Sequence, residues 1–206
     1  MSTLDKLAEL FARFPGIGPR QSKRFVYYLL AAPIGVREEL SRLVLALKKM
    51  VNVCSECQRF FTSNGNQQTL CSTCADPNRD NTLLMIVEKD VDLENIERAG
   101  AWSGKYFVLG GTIPILEKNP HERVRSKQIQ KLIENRGKNN GLKEVVLALS
   151  LTSEGENTAE FLQSSLAPLS TAYGFKLSTL GRGLSTGSEL EYSDPDTIRN
   201  ALKNRQ

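Results

Sequence analysis

Four cysteines set the tightest constraint on this chain of 206 residues. Cys54 and Cys57, then Cys71 and Cys74, form two C-x2-C pairs separated by 13 residues. Each pair turns two thiolates onto one ion, and the two pairs complete a sulfur-only tetrahedral shell that suits zinc. The separation is slightly shorter than is usual between such pairs, yet the pairs consume every cysteine in the chain. A catalytic zinc keeps a position open for water, whereas four thiolates close the shell, so one structural zinc per chain is the expectation. An iron–sulfur cluster is the chemical alternative. The single histidine, His121, lies far from the cysteines and reads as a surface residue. Between the pairs, SNGNQQT reads as a polar turn joining short strands, as a zinc ribbon requires.

With 40% hydrophobic and 24% charged residues, the chain can bury a core, and wholesale disorder is excluded. Its longest apolar runs, Leu83 to Val87 and Val145 to Leu149, have strand length and fall short of the roughly 18 residues of a membrane span. The opening MSTLDKLAELFARF contains Asp5 and Glu9, so it lacks the basic start and apolar centre of a secretory signal. A cytoplasmic protein without a membrane segment is expected, and a reducing compartment favours metal over disulfides. The net charge of +4 is unevenly spread: residues 1–53 hold nine Lys or Arg against four Asp or Glu, and residues 78–206 are balanced. An anionic partner would meet the N-terminal end first, the alternative being a solvated surface.

Leu4, Leu7, Ala8, Leu10 and Phe11 recur at helical spacing, predicting a short amphipathic helix over 3–13 with Thr3 as N-cap. Phe14-Pro15-Gly16-Ile17-Gly18-Pro19 forbids helix, and Pro19 suits the first turn of a second helix carrying Phe25, Val26, Leu29 and Leu30 on one face. Gly16 and Gly18 let the backbone approach a phosphate, the amides of the following helix start point at it, and Arg20, Lys23 and Arg24 flank the place. The run FPGIGPRQSKR resembles the helix-hairpin-helix element, which grips phosphates without reading bases. A purely structural turn is the alternative. Residues 36–50 predict a further amphipathic helix, a core or dimer helix to which Lys48 and Lys49 would add a basic surface.

From Thr82 onward strands alternate with helices. TLLMIVE, KYFVLGG, LKEVVLALS and KLSTLG read as strands, and DLENIERAG, residues 122–136 and ENTAEFLQSSL read as helices. Short strands apolar along their whole length predict a parallel sheet covered on both faces, with ligands at the carboxyl ends of the strands. Acidic residues gather there: Glu88, Asp90 and Asp92 after the first strand, Glu154 and Glu156 after the third. Such carboxylates could hold magnesium, and the outline resembles the Toprim fold of topoisomerases and primases. Catalytic Toprim domains pair the glutamate with Asp-x-Asp after a later strand, where this chain reads Ser150-Leu-Thr-Ser-Glu154-Gly-Glu156. No catalytic residues are therefore assigned, and a magnesium-dependent nuclease or primase is the alternative. The run Gly181-Arg182-Gly183-Leu-Ser-Thr-Gly187 through Tyr192 reads as a glycine-rich linker, without the phosphate-cradling G-x4-G-K-[ST]. Asp194 and Pro195 open a last helix over 195–204.

Taken in order, FPGIGPR, the two cysteine pairs, Asp76-Pro-Asn-Arg79-Asp80, Val108-Leu-Gly-Gly111, Glu154-Gly-Glu156-x-Thr158-Ala159 and the tail G-R-G-L-x-x-G-x-x-L-E-Y resemble the RecR family of bacterial recombination mediator proteins. The resemblance runs from about Leu7 to Leu202. It implies a multidomain α/β chain: a helix-hairpin-helix part (1–53), a four-cysteine zinc ribbon (54–77), a Toprim-like parallel α/β domain (78–175) and a short C-terminal tail with a helix (176–206). It implies a DNA-repair protein without turnover, working with RecO and RecF to load RecA on single-stranded DNA at gaps, as a dimer or tetrameric ring around DNA. By the same resemblance Lys23 and Arg24 face DNA, Glu154 and Glu156 form the surface for RecO, and the four cysteines hold zinc. Two departures stand out: Ser150-Leu151 where many relatives have Asn-Pro, and the stretch after Gly111, where Lys118, Arg123 and Arg125 suggest an added DNA or partner contact.

Overall fold

A computed structural model describes residues 1–62, 68–139, 141–181, 184, 191, 193 and 195–203. Most of the glycine-rich run after Gly181, Tyr192, the expected cap Asp194 and residues 63–67 of the polar turn lie outside the described residues. Backbone contacts divide the chain into two units, Met1–Val51 and Asn52–Gln206.

The first unit is helical: α1 (Thr3–Ala12), α2 (Pro19–Ala31) and α3 (Ile34–Met50). The cap of α1 is Ser2, not the expected Thr3. Its hydroxyl accepts from the Asp5 amide at 3.2 Å while the Asp5 carboxylate accepts from the Ser2 amide at 3.0 Å, a reciprocal pair that Thr3, already helical, cannot make. Phe11 bridges α1 and α2 edge-on to Phe25, ring centroids 5.6 Å apart, and Ser22 and Val26 form the buried side of α2. None of α3 is buried.

In the second unit β1 (Val51–Val53) pairs with β2 (Phe60–Thr62), and α4 (Ser72–Ala75) carries the second cysteine pair. Four strands, β3 (Asp80–Val87), β4 (Gly104–Val108), β5 (Glu144–Ala148) and β6 (Lys176–Thr179), form a sheet in the order β4-β3-β5-β6, parallel throughout, with Val87 level with Val108 and Ala148. Successive strand residues face opposite ways, so β3, β4 and β5 each serve two cores. Leu84, Ile86, Phe107 and Leu147 pack with Ile129 and Ile133 of α7 (Ser126–Asn139) and Leu162 and Leu166 of α8 (Ser153–Tyr173). On the other face Met85, Val87, Tyr106 and Val146 pack with Leu93 of α5 (Asp90–Ala99) and with the four cysteines.

The helix expected over 122–136 is two helices, α6 (Pro120–Arg123) and α7. They break where buried Val124 turns extended and the Arg125 amide donates to the Leu109 carbonyl at 3.0 Å, tying the chain to the end of β4. The helix expected over 156–166 is longer on both sides: Thr152 caps α8 through the Gly155 amide at 3.1 Å, and Gly174, at φ 73°, ends it. The last helix is α9 (Pro195–Lys203).

Candidate functional site

The cysteines are brought together by two tight turns latched to one strand. In the first, the Gln58 amide donates to the Cys54 carbonyl at 3.0 Å and the Cys54 amide to the Arg59 carbonyl at 2.9 Å. That closure holds Gln58 at φ 62°, the left-handed region a non-glycine residue seldom takes. In the second, α4 folds back so that the Ala75 amide reaches the Cys71 carbonyl at 2.9 Å. The Cys71 amide donates to Cys54 Sγ at 3.4 Å, joining the two turns.

All four sulfurs lie within 4.8 Å of one another, Cys57 and Cys71 at 3.6 Å, and all four residues are buried. Zinc–sulfur bonds of about 2.3 Å in a tetrahedron put sulfurs roughly 3.8 Å apart, so the donor set fits one ion of that kind. Shared hydrogen bonds make the thiols unequal. Those from Cys57, Cys71 and Cys74 hold the Cys54 thiol far below its ordinary value, and bonding with Cys54, Cys57 and Cys71 pushes Cys74 far above it. A bound cation removes that competition by taking all four as thiolates. Among the described residues this is the one group of three or more Cys, His, Asp or Glu whose donor atoms converge.

Both turns are fastened to β4. The Val108 amide donates to the Cys57 carbonyl at 2.7 Å. Lys105, 2% exposed, directs its ammonium to the carbonyls of Thr73, Cys74 and Asp76 at 3.2, 2.9 and 2.8 Å. Arg136, from α7, reaches Glu56 inside the first cysteine pair at 3.0 Å. Arg79, just after the second pair, forms an ion pair with Glu97 of α5 and donates to the Gly104 carbonyl at 3.1 Å, while Tyr106 donates to Glu97 at 2.6 Å.

In the first unit, Gly16 takes φ 75°, which turns the chain between α1 and α2. Gly18 is the N-cap of α2 at φ −84°, a conformation open to any residue, and a Cβ there would meet nothing within 4 Å. Packing among the described residues therefore does not demand a glycine at 18. Among the described residues no side chain caps α2, and Arg20, Lys23 and Arg24 are exposed on its first turns.

The Toprim domain family model matches residues 82–180, and the model described as RecR, C-terminal, matches 183–206. Proteins named recombination protein RecR align along almost the whole chain. That of Chloroflexus aggregans is 39% identical over 98% of this chain and 92% of its own; that of Roseiflexus castenholzii is 37% identical with the same coverage. That of Legionella pneumophila is 36% identical over 100% of this chain and 96% of its own. The chain belongs to the RecR family. Its fold, accordingly, is a multidomain α/β arrangement with a helical N-terminus, a four-cysteine centre and a parallel Toprim sheet.

In this RecR-family chain the carboxylates that suggested magnesium do not converge on one point among the described residues. Glu88 is buried and accepts from the Ser150 amide at 2.5 Å, joining the ends of β3 and β5. Asp90 accepts from the Phe60 amide at 2.8 Å and Asp92 from the Lys89 amide at 2.9 Å. Glu154 and Glu156 are exposed on the first turn of α8, Glu154 taking a hydrogen bond from the Thr112 hydroxyl at 3.0 Å. Gly155 between them is required by crowding, since a Cβ there would collide with the Ser150 carbonyl. In the departing stretch, Lys118 and Arg123 are exposed, but Arg125 donates to the Val108 carbonyl at 2.9 Å and is committed to the strand end.

Sequence reading missed Lys105 and the Arg79–Glu97–Tyr106 network. The signal for Lys105 was available: a lone cation inside Gly104-Lys-Tyr-Phe-Val108, a strand buried at every position, has to find acceptors within the protein. No helix among the described residues is long and apolar enough to cross a membrane.

Proposed function

We propose that this chain is a non-enzymatic DNA-binding scaffold of recombinational repair, acting with RecO and RecF to promote RecA loading on single-stranded DNA at gaps, as a ring of copies around DNA. The observation that carries the DNA part is the uncapped start of α2. Its cap, Gly18, has no side chain to cover the amides, and Arg20, Lys23 and Arg24 are exposed on the turns that follow. Amides and cations so placed suit phosphate, and a glycine that the fold itself does not need suits the close approach of a backbone. We read α1, the Gly16–Gly18 turn and α2 as a helix-hairpin-helix element, and Gly16, Gly18, Arg20, Lys23 and Arg24 as its DNA contacts.

In the same reading the cysteine centre holds one structural zinc, because four closed thiolates leave no position for a reacting water. Exposed Glu154 and Glu156 form an acidic docking surface for RecO. The apolar side of α3, with Leu40, Leu43, Val44 and Leu47 exposed, supports association of copies. The four-part division at residues 53, 77 and 175 belongs to the same proposal.

The test is anisotropy of a labelled gapped duplex against protein concentration at several salt concentrations, for the wild type and Lys23→Ala with Arg24→Ala. Phosphate contacts predict log affinity falling with log salt by about 0.9 per neutralised phosphate, and a shallower slope in the variant. Equal slopes, or no binding by either protein at low salt, would remove the hairpin from the DNA interface.

A further inference from the structure

α2 carries a second feature, of which phosphate gripping uses only Arg24. Gln21, Arg24, Phe25 and Tyr28 recur at three- and four-residue steps, form one stripe of the helix, and line an open groove of about 380 Å³. Arg24 is steadied by Gln21, its guanidinium donating to the amide oxygen at 3.3 Å. Phe25 is fixed from behind by Phe11. Tyr28 is 65% exposed, a large aromatic surface left in water beside a held guanidinium.

From these contacts we propose that the groove seats an unpaired DNA base, stacked on Tyr28 and covered by the Arg24 guanidinium. Every base has a π-face, so an aromatic side chain next to a cation binds single strands without choosing a sequence. A paired base hides its faces against its neighbours, so the groove favours single-stranded over duplex DNA. The placement suits a strand whose phosphate sits at the start of α2. Tyr28 lies ten residues beyond Gly18, about 15 Å at 1.5 Å per residue, which is about four nucleotides of a stacked strand at 3.4 Å each. Charge favours a nucleic acid as the occupant. The groove adjoins Arg20 and Lys23 in the part of the chain that holds nine basic against four acidic residues, which attracts a polyanion.

This inference rests on the DNA-binding reading above and is tested apart from it. Full-length wild type, Tyr28→Ala and Tyr28→Phe are titrated against a duplex, and against a gapped duplex with 2-aminopurine in the gap, following anisotropy and 2-aminopurine fluorescence. Thermal unfolding and sedimentation are measured on the same samples. The expected result is that Tyr28→Ala loses about tenfold in affinity for the gap, as loss of one base stack predicts. It should also lose the fluorescence change, while duplex binding and its salt slope stay as in the wild type and Tyr28→Phe keeps both readouts. A Tyr28→Ala protein that binds the gap like the wild type overturns the stacking seat and leaves the phosphate contacts standing. Altered sedimentation with equal losses on both DNAs overturns it in favour of a self-association surface. Absence of DNA binding by the wild type overturns both readings together.

Discussion

The Lys105 ammonium donates to the Cys74 carbonyl at 2.9 Å, and all three of its donors end on carbonyls of the second cysteine turn. Hydrogen bonds are satisfied there, but among the described residues no carboxylate forms an ion pair with Lys105. A divalent ion held by four thiolates would carry a net charge of −2 and would supply the missing counter-charge. Lys105 links a strand of the sheet to the turn that carries two of the four cysteines.

Replacing Lys105 by Met keeps the length of the side chain and removes three hydrogen bonds. Buried carbonyls without partners cost about 1–3 kcal/mol, and at about 2–4 °C per kcal/mol in a protein of this size the melting temperature should fall by several degrees. The more specific outcome is faster release of the ion to a colorimetric chelator at 25 °C, before global unfolding. A variant that melts lower but releases its ion at the wild-type rate would make Lys105 a strand residue only.

Removing the ion should act on more than the cysteine module. The sheet ends at β4, whose outer side is occupied by the Cys57 and Cys74 carbonyls through Val108 and Lys105, and an uncovered sheet edge is a template for aggregation. Cys57→Ala, or exhaustive chelation of the wild type, is expected to give a poorly soluble protein, because structural zinc in small modules contributes on the order of 10 kcal/mol. Metal analysis by mass spectrometry should find one ion per chain. A monodisperse Cys57→Ala protein with wild-type melting would contradict this.

The cysteine spacing was legible because it is local: two residues between thiolates, twice, points to a shared site, and the four sulfurs do lie together. The parallel sheet was legible from unbroken apolar runs such as Leu83 to Val87. What escaped is set by contacts distant in sequence. Nothing near Arg125 says that its amide will bond Leu109 and split a helix, and nothing near Glu88 says that Ser150, 62 positions on, will take its carboxylate. Carboxylates at strand ends read as metal ligands until their partners are known. Ser2 in place of Thr3 as the cap is a miss of one residue, since both residue types are favoured caps and the sequence alone does not say which one stands just outside the helix.

Glu97 gives a pH dependence with a definite sign. Burial opposes its ionisation, but hydrogen bonds from Arg79 and Tyr106, with the Arg79 charge, hold the carboxyl below its ordinary value of 4.5. A carboxylate depressed in the folded state stabilises fully above its unfolded pKa, and that stabilisation is lost as pH falls through the folded value. The melting difference between wild type and Glu97→Gln should therefore be constant from pH 8 down to about 5 and shrink below about 4.5. A difference that grows on acidification would reverse the assignment.

Glu88 separates a joint between strands from a magnesium ligand. If its role is to accept the Ser150 amide, Glu88→Gln retains an acceptor oxygen and should stay close to the wild type. Glu88→Ala strands a buried amide at a cost of about 1–3 kcal/mol. Magnesium should leave the melting temperature of all three proteins unchanged, because Asp90 and Asp92 are spent on the Phe60 and Lys89 amides. The rival nuclease reading predicts the reverse order of evidence: a magnesium-dependent rise in wild-type melting, and magnesium-dependent nicking of supercoiled DNA that disappears in Glu88→Gln. Differential scanning fluorimetry with and without magnesium, beside a nicking assay, decides between them.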